Sequence, residues 1–197
     1  MYDLATDKPV VTPKSYGKSI KPADLPDGIA RFFPLAPDAP PAPAIGTAGA
    51  PATGTGLPAD ALLPVLESLR EDVAEIRAAL AAVHVRMVGA SLLVVYEADW
   101  ARARAGIAWM EEGGADSDDS EDEDEEDEDE DDDDGENEEG KRRAGPPYAV
   151  KLIDFAHTKL VPGMGPDEGV LKGVDTVLRL LDGRIAQVRA TASAEPA

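Results

Sequence analysis

The chain of 197 residues contains no cysteine. That excludes disulfides, thiolate metal sites and a cysteine nucleophile. Histidine is nearly as scarce. His84 and His157 are the two present, and their distance in sequence argues against a His-rich metal cluster. Long apolar runs are missing as well. A run such as Leu92–Tyr96 falls far short of the ~20 residues a membrane-spanning helix needs, and Met1–Pro9 lacks the apolar stretch of a secretory signal. The expectation is a soluble protein of the nucleus or cytoplasm with no membrane partner. There is no basic surplus either: 19 Lys and Arg face 40 Asp and Glu, so direct nucleic-acid binding by phosphate neutralisation is not expected.

The acidic excess is local. Half of the acidic residues lie between Asp116 and Glu139, a stretch without a single base, and the remainder of the chain is close to neutral. Like charges at this density repel one another, and few apolar residues oppose them. Residues 111–145 are therefore expected to be a disordered acidic insert. A second stretch, 35–57, is built almost entirely of Ala, Pro, Gly and Thr. It offers too little apolar area to offset the entropy of ordering and reads as a linker. The acidic run also supports a separate reading, a non-catalytic co-regulator that binds basic nuclear proteins.

Between these stretches the sequence is patterned. In residues 1–34, Leu25, Ile29, Phe32 and Phe33 fall at helical spacing, which predicts a short amphipathic helix. Residues 58–110 open with a long helix over Ala59–Val83. Leu62, Leu66, Leu69, Val73, Ile76, Leu80 and Val83 form one stripe, Asp60 is a candidate N-cap, and Pro64 is early enough to be tolerated. The stripe suits packing within its own domain, with a coiled-coil dimer as the alternative. Ala90–Glu97 and Tyr148–Phe155 are rich in β-branched and aromatic residues and read as strands, expected to pair with the acidic stretch between them. Residues 146–190 continue through a Gly/Pro turn into a helix over Asp167–Leu181, and 191–197 read as a disordered tail.

Asp154 is the most informative single residue. It closes the apolar run Val150–Leu152–Ile153 and precedes Phe155. A short carboxylate at a strand end is suited to holding Mg²⁺ against nucleotide phosphates, and equally suited to capping a turn. His157, three residues on, can donate to an anionic substrate or be an ordinary surface residue. Lys159 is a phosphate contact or a solvated lysine. Leu92 and Leu93 in the other strand are a floor under a flat base or simply core. No phosphate-loop spacing, nucleophile elbow or Ser/His/Asp set is present.

Taken together these segments resemble the inositol polyphosphate kinases. Ser91-Leu92-Leu93, within Arg86–Glu97, resembles the family's S-S-L-L strand. Lys151–Thr158 resembles its I-D-F motif in the D-F-A-H-T form, and Gly165–Val174 resembles the following G-x-D-x-G-x-x-x-G segment. Lys14–Ser19 and Gly28–Phe33 are similar to the K-x-Y-G and F-F segments. An acidic insert between the strand motifs is similar to the fungal multikinase branch. The resemblance implies an α+β fold, the C-terminal lobe of such a kinase, with antiparallel strands flanked by helices and two disordered segments. It implies transfer of the γ-phosphoryl of ATP to an inositol phosphate, with Mg²⁺ held by Asp154, inositol phosphate contacted by His157, and the adenine lined by Ile153 and one of Leu92 or Leu93. The family's P-x-x-x-D-x-K-x-G motif and its ATP-anchoring lysine have no counterpart in the 197 residues. The expectation is therefore a C-terminal portion without its N-terminal lobe, inactive alone and with no catalytic residue of its own.

Overall fold

A computed structural model describes residues 2–3, 8–9, 11–36, 56–114 and 145–194. The acidic run and most of the Ala/Pro/Gly linker lie outside the described residues, and so do the expectations attached to them.

The centre of the fold is a pair of long helices, α3 (Ala59–Ala82) and α5 (Glu168–Ala194). Their ion pairs Glu67–Arg189, Arg70–Asp182 and Arg77–Asp175 run in opposite order along the two helices, so the pair is antiparallel. The stripe of α3 is buried where expected at Leu62, Leu66, Leu69 and Val73, against Val174, Leu181, Ile185 and Val188 of α5. It therefore packs within its own domain. Toward the C-terminal end burial fades, and Val83, beyond the helix, is 43% exposed. Two details differ from the sequence reading. Pro58 occupies the cap position, and Asp60 pairs instead with Arg104 at 2.9 Å. Pro64 is the sixth helical residue, so it stands in the second turn. The second helix also runs past Leu181 into the expected tail, because Ile185 and Val188 continue its buried face.

Two short helices precede this core, α1 (Lys14–Ser19) and α2 (Leu25–Phe32). The two phenylalanines at the end of α2 divide the work: Phe33 is buried and Phe32 is 44% exposed. The linker's ends are ordered, in contrast to the reading of 35–57 as disordered throughout. Leu35 bridges to Leu57, which is fully buried, and apolar burial holds these two ends together. A further helix, α4 (Trp100–Glu111), was not anticipated. Asp99 caps it by accepting a hydrogen bond from the Arg102 amide at 2.9 Å.

The strands form antiparallel two-stranded ladders. β1 (Tyr2–Asp3) pairs with β2 (Lys8–Pro9). β3 (Val85–Met87) pairs with β6 (Thr158–Leu160), and β4 (Ser91–Tyr96) with β5 (Tyr148–Ile153). The expected pairing of the two motif strands is thus present. Mixed helices and antiparallel strands make the fold α+β. No described helix is long and apolar enough to cross a membrane.

Candidate functional site

Strand periodicity sorts the motif residues onto two faces. Successive side chains alternate, and directly opposed residues share a face. In β4, Leu92, Val94 and Tyr96 turn inward and pack on the core, whereas Ser91, Leu93 and Val95 are exposed. Ser91 faces Ile153 across the ladder and Leu93 faces Lys151. Ile153 therefore lies on the outer face with Leu93. Leu92, opposite Leu152, lies on the inner one, so the two leucines of the motif are not interchangeable.

The register also shows where Asp154 lies. Met87 faces Thr158, and Ser91 faces Ile153. Residues 88–90 on one strand are thus opposed by 154–157 on the other, one residue more. This is a bulge, which interrupts the ladder and redirects the bulged strand. Asp154 leads into the extra length in a left-handed conformation, φ 60°, which Asp tolerates better than most non-glycine residues, and the slack closes in a turn where the Thr158 amide donates to the Phe155 carbonyl at 3.1 Å. The strand read as Tyr148–Phe155 accordingly stops at Ile153. Asp154, Phe155, Ala156 and His157 are all exposed. Neither Asp154 nor His157 has a hydrogen-bond or ion-pair partner among the described residues. Beside them Thr158 has a buried hydroxyl with no hydrogen-bond partner, an uncommon and costly state.

Behind the ribbon, on its inner side, a cleft of about 520 Å³ opens between the β3–β4 bend and α5. Leu92, Leu152, Asp167, Gly169 and Gly173 are among its lining residues. The Ser-Leu-Leu strand and the Gly-x-Asp-x-Gly segment, distant in sequence, therefore meet here. Asp154, His157, Ile153 and Leu93 do not line it.

The Gly/Pro turn between β6 and α5 is fastened to β3. Arg86 Nη1 donates to the Val85, Gly165 and Pro166 carbonyls at 2.7, 2.9 and 3.1 Å, and Nη2 donates to the Met164 carbonyl at 3.0 Å. His84 Nδ1 accepts from the Gly163 amide at 2.8 Å, so this histidine is structural. Asp167 accepts from the Met87 amide at 3.0 Å and, at the start of α5, from the Gly169 and Val170 amides at 3.1 and 3.3 Å. These bonds, led by that from Met87, hold its carboxyl below the usual carboxylate range. Arg86 and Asp167 lie within the segments that carry the family resemblance, but sequence reasoning gave them no role. Asp167 carried a readable signal, an Asp directly before a helix and after a proline. Arg86 carried none, since its partners are 78–80 residues away.

No group of three or more His, Asp or Glu side chains among the described residues could hold a metal ion by itself. The exposed carboxylate of Asp154 could supply one ligand of a hard cation whose remaining positions are filled by phosphate and water, the usual arrangement for magnesium.

The inositol polyphosphate kinase family matches residues 1–182. A curated inositol polyphosphate multikinase from Saccharomyces cerevisiae is 45% identical over 104 residues, covering 48% of this chain and 28% of that protein. Among solved structures, the inositol phosphate multikinase Ipk2 of S. cerevisiae, in complex with ADP and Mn²⁺, superposes with a TM-score of 0.50 at 22% identity. The superposition covers 87% of this chain and 50% of the yeast chain. The chain thus spans half or less of the length of these relatives.

Proposed function

The chain belongs to the inositol polyphosphate kinase family, and on that premise we propose that it forms one wall of an ATP and divalent-cation site for phosphoryl transfer to an inositol phosphate. The observation that carries this reading is the bulged ribbon. Its outer face presents Leu93 and Ile153 diagonally across the ladder, with Lys151 and Ser91 as their respective direct partners, and ends at the exposed carboxylate of Asp154, unpaired among the described residues. Leu93 and Ile153 form an apolar floor for the adenine. Leu92 belongs to the core beneath it. Asp154 supplies a hard oxygen ligand to Mg²⁺. His157, three residues along the same exposed loop, contacts the anionic inositol phosphate. Bound there, the cation neutralises charge on the transferring phosphoryl group. The chain's own contribution is placement: a flat apolar surface, a carboxylate at its edge, and a ladder that fixes the spacing between them.

Titration of the purified chain with Mn²⁺·ADP, followed by the electron paramagnetic resonance of free Mn²⁺, tests this assignment. Asp154→Asn is expected to weaken binding at least tenfold, and Leu93→Asp to weaken it through the nucleotide. Leu92→Val, a change on the inner face, is expected to leave it within twofold. Equal binding by wild type and Asp154→Asn would refute the metal role.

A further inference from the structure

The bulge that turns Asp154 outward has a competitor within the same sequence. If the β4–β5 register ran on without interruption, Ala90 would face Asp154 and Met87 would face His157. The observed partner of Met87 is Thr158. An unbroken ladder would satisfy more backbone groups and would draw Asp154 into the strand. Register is strongly specified where a buried face enforces it and weakly where none does. In the β3–β6 ladder the apolar anchoring is thin. Val85 is buried, but its partner Leu160 is 80% exposed, and each strand is three residues long. Core packing therefore does little to choose the bulged alignment.

We infer that Arg86 and Asp167 make that choice, as positioning residues for Asp154. This rests on the metal role proposed above for Asp154. Arg86 holds the carbonyls of Met164, Gly165 and Pro166, a few residues beyond β6. These three bonds fix the length of chain between β6 and the turn. Asp167 ties the Met87 amide to the first turn of α5, which is anchored in the core through Leu171 and Val174. β3 is thereby pinned to α5, and the turn that follows β6 is pinned to β3. A one-residue slide of β6 would strain both attachments. With the slide blocked, the surplus residue stays between Ile153 and Thr158, and Asp154 stays out of the ladder. Neither side chain touches nucleotide or cation in this arrangement; both act through the alignment of two strands.

The absence of native cysteine makes the register directly readable. Two double variants of the full chain, Met87→Cys with Thr158→Cys and Met87→Cys with His157→Cys, report the bulged and the unbroken alignments by disulfide yield under mild oxidation. The first is expected to cross-link and the second not. Adding Arg86→Lys, which keeps the charge but lacks the fork that spans several carbonyls, or Asp167→Ala should shift yield toward the 87–157 pair at least tenfold. Arg189→Ala, which removes an exposed ion pair of the same helix, should shift nothing. General loosening would lower both yields together, whereas lost positioning exchanges one for the other. Retention of the 87–158 preference in the Arg86 and Asp167 variants would overturn the inference. In the otherwise native chain, Arg86→Lys should also weaken Mn²⁺·ADP binding as Asp154→Asn does. The cross-linking result decides the register claim even if Asp154→Asn binds normally, an outcome that would overturn the metal role and with it the positioning of a ligand.

Discussion

Tyr96 and Arg184 fasten the end of α2 from two sides. The Tyr96 hydroxyl donates to the Phe32 carbonyl at 2.9 Å, and Arg184 of α5 donates to the neighbouring Phe33 carbonyl through Nε and Nη2 at 3.0 and 2.7 Å. Burial pushes the Tyr96 phenol up to about 12, although the Arg184 charge acts in the opposite direction. The unfolded chain would lose this proton near pH 10. The stabilisation is therefore complete below pH 10 and is lost as the pH rises toward 12. Two units correspond to roughly 2–3 kcal/mol. Urea unfolding from pH 9 to 12 should show the loss in the wild type, and Tyr96→Phe should reduce it, leaving the part due to Tyr148, whose phenol burial also pushes up. Asp167 behaves with the opposite sign. Its depressed carboxyl stabilises the fold above the ordinary carboxylate range, and that contribution disappears on acidification through its lowered value. Thr158→Val tests the orphaned hydroxyl. No hydrogen bond is lost and a buried unpaired oxygen is removed, so a gain of about 1 kcal/mol in urea unfolding is expected.

The helices and strands that sequence patterning reveals are those with a long one-sided pattern. The α3 stripe runs from Leu62 to Leu80, about five turns, and the two motif strands are visible as apolar, β-branched runs. The elements that were missed fail this criterion. β3 and β6 have three residues each, and their pairing depends on polar bonds to residues distant in sequence. In α4, Trp100, Ala103, Ile107 and Met110 do form a stripe, and Asp99 announces its start, but alanine and arginine dilute the pattern. The packing of α4 imposes a strict local demand. A β-carbon on Gly106 would come within 2.8 Å of the Gly145 carbonyl oxygen and 3.0 Å of Pro147. Gly106→Ala must therefore push the approach to β5 away, despite alanine's higher helix propensity. A loss of 1–3 kcal/mol, the typical cost of overpacking, is expected in thermal or urea unfolding. In the core, Leu69→Ala should cost about 2–5 kcal/mol, whereas Arg70→Ala, which breaks an exposed ion pair, should cost no more than about 1 kcal/mol.

The outer face of the ribbon remains open across the molecule. Leu93, Val95 and Phe155 are 44, 56 and 57% exposed, and phosphoryl transfer depends on enclosing and aligning both substrates. A single wall can bind without aligning. With the P-x-x-x-D-x-K-x-G motif absent from these residues, the 197-residue chain by itself is expected to bind Mn²⁺·ADP but not to transfer phosphate. Incubation with labelled ATP and inositol trisphosphate should yield no new phosphorylated product. The two-faced character of the site was only partly legible. Ile153 and Asp154 stand out in the sequence, but the choice between Leu92 and Leu93 depends on which residue Ser91 faces. That alignment pairs strands that lie on either side of the acidic run in sequence.

The close approach of Gly106 to Gly145 has a practical meaning. Gly114 lies eight residues beyond Gly106, roughly 12 Å at helical rise, so a span on that order separates Gly114 from Gly145. Lengthening a connection between two fixed ends costs only about 0.6 kcal/mol per doubling of its length. A fluorescent protein whose own termini adjoin could be spliced between these two glycines, giving an internal reporter that leaves both ends of the chain untouched.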